Sequence, residues 1–155
     1  MCCVHGFALG GGSGLVAAAD IAVAWPDAVF GFTEVRLGII PAVISPFVLP
    51  KIGAAARRYF VTGERFDAEV ALRIGLISEV SVDAGTACEA IVADILEGGP
   101  IATREAKKLV RERPKGIDTA HIAATRRTSA EGQDGLRAFL DRRRPGWTET
   151  ADNGS

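Results

Sequence analysis

Residues 5–14 read His-Gly-Phe-Ala-Leu-Gly-Gly-Gly-Ser-Gly. Gly10, Gly11, Gly12 and Gly14 break an apolar run. Such a cluster lets the main chain turn sharply and approach a ligand closely. Leu15 to Ala19 follows directly; it is alanine-rich and helical by propensity. A helix that begins here presents N–H groups without intrahelical partners and a partial positive charge. That suits an anion, either a phosphate or a developing oxyanion. Three named motifs compete. A P-loop fails because no Lys follows, and a nucleophile elbow fails at Leu15. The dinucleotide fingerprint is missed by one residue, yet Glu34 stands where a ribose-binding acid would, so that reading stays open. Close strand–helix packing alone is the structural alternative.

Working outward, Cys2 to Leu9 reads as one buried strand, Ile21 to Trp25 as a second and Ala28 to Phe32 as a third. Strand, glycine turn, helix and strand in this order make a βαβ unit and predict an α/β fold. Beyond it the chain turns helical. Val43 to Lys51, among Pro41, Pro46 and Pro50, predicts a short or broken helix. Ala54 to Thr62 and Ala68 to Ile74 predict two more, with Gly75 as a C-cap and Leu76 to Val80 as a brief strand. Ala84 to Glu97 has apolar residues at helical spacing and is stopped by Gly98-Gly99-Pro100. Ile101 to Glu112 and a long stretch from Ile117 to Arg143, broken near Gly132, complete the helices. Trp147 to Ser155 is polar and expected to fray.

The bulk composition narrows the classes. The chain has 155 residues, 48% hydrophobic and 24% charged, with a net charge of −1. This is the size and balance of one globular domain. No general affinity for nucleic acid or anionic membranes is expected. Three cysteines without regular spacing argue against a disulfide framework. Cys2 and Cys3 are expected to be small apolar residues of a buried strand. Phe7 to Trp25 is apolar, but Asp20 and its glycines argue against a membrane span. With no signal peptide visible, the expectation is a soluble, cytoplasmic protein.

Individual side chains carry weaker signals. Glu34 follows an apolar strand, a setting suited to proton transfer near neutral pH; a solvated glutamate, or one paired with Arg36, is the alternative. His5 is expected to be a core histidine with one satisfied nitrogen, and a lone histidine makes no metal site. His121 is expected to be exposed. Arg57-Arg58 and Arg142-Arg143-Arg144 read as solvated helix faces or as phosphate contacts.

In combination the stretches are more specific. His5 to Gly12, Ala19 to Ala24 (Ala-Asp-Ile-Ala-Val-Ala) and Phe30 to Pro41 (Phe-Gly-Phe-Thr-Glu-Val-Arg-Leu-Gly-Ile-Ile-Pro) resemble the signature of the crotonase, or enoyl-CoA hydratase/isomerase, superfamily. Phe60 to Ala68, Ala71 to Val80 and Glu131 to Trp147 extend the resemblance. It implies a partial crotonase core of spiral ββα type at residues 1–80, a helical trimerisation region at 81–147 and a disordered tail at 148–155. It also implies an acyl-CoA thioester as partner, with no separate cofactor because CoA is part of the substrate. Such enzymes hold an enolate on the thioester oxygen with two backbone N–H groups. One of these falls on Gly11, and Glu34 matches a catalytic glutamate. Gly10, Gly12, Gly14, Pro41, Val43 and Ile44 fall along the substrate path. Phe139, Arg142 and Arg143 lie where the C-terminal helix meets CoA.

Two departures from the pattern bear on function. Hydratases of the family carry another glutamate twenty positions before the first match, and position 14 is glycine. The Ile40 to Pro46 stretch looks closest to bacterial methylglutaconyl-CoA and carboxygeranoyl-CoA hydratases, some of which use one glutamate. Its bulky Val43 and Ile44 are expected to reshape the acyl pocket. The family domain also has a further N-terminal segment that supplies the first strands and the second oxyanion donor. The expectation is an enoyl-CoA hydratase, with an isomerase or an inactive acyl-CoA-binding remnant as alternatives, assembling as a trimer or hexamer when the whole domain is present.

Overall fold

The computed structural model describes residues 1–149. The chain divides into two compact units, residues 1–90 and 91–155, and the boundary falls inside a helix. The first unit is mixed α/β. Its strands are β1 (Cys2–Val4), β2 (Phe7–Leu9), β3 (Ala22–Ala24), β4 (Val29–Gly31), β5 (Arg65–Asp67) and β6 (Glu79–Val80). Its helices are α1 (Gly11–Ala18), α2 (Ser45–Ile52), α3 (Ala56–Thr62) and α4 (Ala68–Arg73), followed by α5 (Ala84–Glu97) across the boundary.

The strands form two small sheets rather than one. In the first, β3 lies between β1 and β6 and runs parallel to both. In the second, β4 pairs parallel with β2 and antiparallel with β5. The stretch expected to be a single strand, Cys2 to Leu9, is therefore two. Gly6 adopts a φ of 63°, which glycine takes at little cost and which re-aims the chain between sheets. The break also corrects the environment of His5. It is exposed, with its ring edge-on to Trp25, and is not a core histidine. Cys3 and Phe7 are exposed as well, and Cys2 is half-buried, so this run is not buried throughout. The strand at Arg65–Asp67 is only three residues long, too short for its alternation to stand out in the sequence, and it pairs with β4.

The core of the first unit is aromatic at its centre. Phe30 and Phe32 are fully buried, and Phe66 contacts both rings. Tyr59 packs on Phe66 and Phe60 meets Phe32 edge-on. Val23, Val48 and Leu76 are buried completely. The run after β4 is a 3₁₀ turn, Thr33–Leu37, closed by Gly38 at φ 74°. This turn carries Glu34.

The second unit is helical, with α6 (Pro100–Glu112), α7 (Ile117–Thr128), α8 (Ala130–Asp141) and α9 (Gly146–Glu149). The expected break in the long C-terminal stretch falls at Ser129, whose hydroxyl accepts the Gly132 N–H and caps α8. Gly132 itself lies inside α8; a β-carbon there would collide with the Arg126 carbonyl at the end of α7. The start of the segment expected to fray, Trp147 to Glu149, belongs to α9, where Trp147 donates its indole N–H to the Glu97 carbonyl and packs over Gly135. Residues 150–155, the rest of the expected tail, lie outside the described residues. Among the described residues no helix is long and apolar enough to cross a membrane.

Candidate active site

The glycine turn forms because β2 must end and α1 must begin within two residues. Gly10 is the N-cap, with φ 53° and ψ −118°, and no side chain caps the helix. Its own N–H is used, bonding the Gly31 carbonyl at 2.8 Å, and its carbonyl accepts the Gly14 N–H at 3.1 Å. Gly11 is the first helical residue, so its N–H has no acceptor within the helix. Gly11 is exposed, Gly10 and Gly12 half-buried and Gly14 buried.

The 3₁₀ turn after β4 brings Glu34 to this helix start. A β-carbon on Gly10 would lie 3.4 Å from Glu34 Oε1 and 3.7 Å from its carboxyl carbon. The carboxylate therefore sits against the glycine turn, and glycine at position 10 leaves it room. Its Oε2 is buried and has no hydrogen-bond partner among the described residues. The sequence alternatives of a solvated glutamate or one held by Arg36 do not describe this arrangement. Arg36 lies instead with its stem and Nε against Gly63. A buried carboxylate oxygen left without a partner is costly to stability, and such groups mark candidate sites for chemistry.

Gly14 is glycine for a packing reason. A β-carbon there would lie 2.8 Å from Cβ of Ile44, with Cγ2 closer still. Ile44 is buried, just ahead of α2, and packs onto α1 at this point. Val43 points the other way and is 88% exposed, so the two bulky neighbours do not share one pocket wall. Pro41 is buried and lines an apolar groove of about 570 Å³ with Val35, Ile40, Leu49, Phe60 and Val61. The volume suits a small organic group. Sequence reading missed Val35, since a valine beside an acidic residue carries no signal of its own.

The remaining candidates belong to the second unit. Phe139 is 81% exposed on α8. Arg142 ends that helix with a φ of 54°. Arg143 bonds Asp134 at 2.8 Å and Arg144 bonds Glu97 at 3.2 Å. Arg58, in the first unit, is paired with Glu64. Arg58, Arg143 and Arg144 are thus engaged in surface ion pairs. Among the described residues no group of histidine, cysteine and acidic side chains could hold a metal ion.

Comparison with known proteins bears on the family and the fold. The family model described as enoyl-CoA hydratase/isomerase matches residues 1–150. (E)-benzylidenesuccinyl-CoA hydratase of Thauera aromatica is 32% identical over 92% of this chain and 59% of its own length. Short-chain-enoyl-CoA hydratase of Clostridium acetobutylicum is 32% identical over 91% of this chain and 58% of its own. The crystal structure of an enoyl-CoA hydratase from Shewanella pealeana superposes with a TM-score of 0.88 at 39% identity, covering 94% of this chain and 58% of that one. The chain therefore spans about three fifths of the length of the relatives it matches. Its mixed α/β architecture with a C-terminal helical region is the crotonase fold, and the chain belongs to the enoyl-CoA hydratase/isomerase family.

Proposed function

We propose that the chain binds the acyl end of a CoA thioester and adds water across a 2-enoyl double bond, needing no cofactor beyond the CoA that the substrate carries. The observation behind this reading is the Glu34 carboxylate seated against the glycine turn with one buried oxygen unpartnered among the described residues. The thioester oxygen would accept the Gly11 N–H. Glu34 would take a proton from water as the oxygen of that water bonds to C3. The electron pair of the double bond moves onto the thioester oxygen as an enolate. Glu34 then returns the proton to C2, and the thioester carbonyl re-forms. One carboxylate serves as base and then as acid, which requires it to reach both positions from a single site. A donor aimed at the developing oxyanion is worth about two to three orders of magnitude in rate.

Loss of enoyl-thioester absorbance with crotonyl-CoA or 3-methylglutaconyl-CoA tests the proposal, with Glu34→Gln alongside. Turnover that vanishes in the variant supports it; turnover that survives removes Glu34 from the chemistry.

One observation favours a second reading. Ile44 fills the space beside Gly14, leaving an apolar wall there. A site with one carboxylate also suits a double-bond shift, in which Glu34 moves a proton between two carbons and no water adds. Product analysis separates the two, since hydration yields an alcohol and the shift a displaced alkene.

A further inference from the structure

We infer that Ser13 is a positioning residue for this site: its hydroxyl ties the glycine turn to the strand that leads into Glu34. The inference rests on the acyl-thioester reading above. Ser13 is fully buried, a polar side chain between two glycines on the inner face of α1. Its Oγ lies 2.5 Å from the Ala8 carbonyl oxygen, 3.2 Å from the Gly31 carbonyl oxygen and 3.3 Å from the Gly31 nitrogen. A hydroxyl has one proton and two lone pairs. The proton goes to the nearer carbonyl, that of Ala8, and the Gly31 N–H donates to the oxygen.

The two partners occupy decisive places. Ala8 is in β2, two residues before Gly10. Gly31 ends β4, three residues before Glu34, and its carbonyl also accepts the Gly10 N–H at 2.8 Å. These bonds join the strand end beside Gly10 to the strand end that leads into Glu34, whose carboxylate lies against Gly10. The β2–β4 ladder aligns the strands, and the Ser13 hydroxyl stops α1 from shifting over their ends. Ser13 acts through Gly10, Gly11 and Glu34 and is not itself placed at the reacting atoms. A misplacement of about 1 Å in such an arrangement costs on the order of a hundredfold in rate.

The experiment uses the full chain and cinnamoyl-CoA, an aryl-conjugated enoyl thioester. Its absorption moves to longer wavelength when hydrogen bonds polarise its carbonyl. Ser13→Ala and Ser13→Cys are compared with Asp67→Ala, which removes the N-cap of α4, where Asp67 accepts the Val70 N–H at 2.8 Å. That control weakens the fold outside the Ser13 hydrogen bonds, since Asp67 lies opposite Val29, at the far end of β4 from Gly31. Wild type and Asp67→Ala are expected to shift the probe's absorption equally. Ser13→Ala is expected to lose most of the shift, and about ten- to a hundredfold of any turnover, while its affinity for the probe stays within about threefold. Ser13→Cys, which keeps a weaker donor, is expected to fall between. A full shift in Ser13→Ala overturns the inference. If that variant does not fold, Ser13→Cys decides on the same terms: a weakened shift at unchanged affinity supports it, and a full shift overturns it. Wild-type chain that leaves the probe unshifted overturns the acyl-thioester reading, and the Ser13 inference with it. The two failures are distinguishable because only the second appears in the wild type.

Discussion

Ile44 occupies the space that any side chain at position 14 would enter: a β-carbon on Gly14 would lie 2.8 Å from Cβ of Ile44. The two residues are thirty positions apart, and each dictates the other. Gly14 sits inside α1, where alanine would ordinarily add about 1 kcal/mol through helix propensity. Forcing a methyl into a packed contact costs about 1–3 kcal/mol. The clash is with Cβ and Cγ2 of a buried, β-branched residue that has little freedom to move, so it outweighs propensity. Gly14→Ala is expected to destabilise the chain by about 1–2 kcal/mol. Gly14→Ala with Ile44→Ala is expected to cost less than the sum of the single changes, by about 1 kcal/mol or more. Denaturant unfolding of the four proteins of this cycle measures the coupling, and additive costs would refute the contact.

Glu34→Gln separates chemistry from packing. The amide keeps the shape and removes the charge and the proton acceptor. Turnover of an enoyl-CoA is expected to fall by a factor of about a hundred or more. Stability is expected to hold or rise slightly, since Oε2 is buried without a partner among the described residues and an amide is easier to bury than a carboxylate. Parallel activity and unfolding measurements check this. A loss of stability matching the loss of activity would mean that Glu34 holds the fold.

Glu131 has the opposite character. Its carboxylate accepts the Ile101 N–H at 2.9 Å and the Ala102 N–H at 2.8 Å, capping the start of α6 from α8. Arg126 lies 3.9 Å away. Removing the carboxylate leaves two helix N–H groups without their acceptor and Arg126 with Glu105, at 3.6 Å, as its remaining acidic neighbour. Glu131→Ala is expected to cost about 2–3 kcal/mol, with faster amide exchange at Ile101 and Ala102. Glu131→Gln, which keeps one acceptor, is expected to cost less. Unchanged exchange at those amides would contradict the cap.

The thiols predict a pH dependence. Burial, and then the Cys3 thiol beside it, push Cys88 from its ordinary 9.0 up to about 11. In the unfolded chain the thiol ionises near 9, while in the folded chain it keeps its proton until about 11. The unfolded state therefore binds fewer protons in this window, and stability falls as pH rises. The contribution is fully present below about 9 and lost by about 11. Site-resolved alkylation against pH tests it by peptide mapping. Modification of Cys88 is expected to keep accelerating towards pH 11, and a plateau near 9 would show an ordinary thiol.

Much of this molecule was legible in its sequence because the governing interactions are local. The bounds of α5 follow from apolar spacing and the Gly98-Gly99-Pro100 stop, whereas α4 ends at Arg73 with Ile74 as its C-cap and the expected cap, Gly75, one residue beyond at a φ of 82°. The glycine run announced a tight strand-to-helix turn, and the order of the motifs named the family. Other features were hidden because they depend on where distant chain segments return. The opening run became strands in two sheets, and Arg65–Asp67 became a strand paired with β4. Gly14 read as a missing carboxylate; tertiary packing shows a helix surface pressed against Ile44. Glu34 was one acid after an apolar strand, and only the 3₁₀ turn set it against Gly10 with an oxygen enclosed and unpaired among the described residues. Sequence alone determined which backbone shapes were accessible, since those are set residue by residue by sterics and propensity. Tertiary structure decided which side chains meet, because a contact between positions 14 and 44, or 10 and 34, exists only once the intervening chain has folded back.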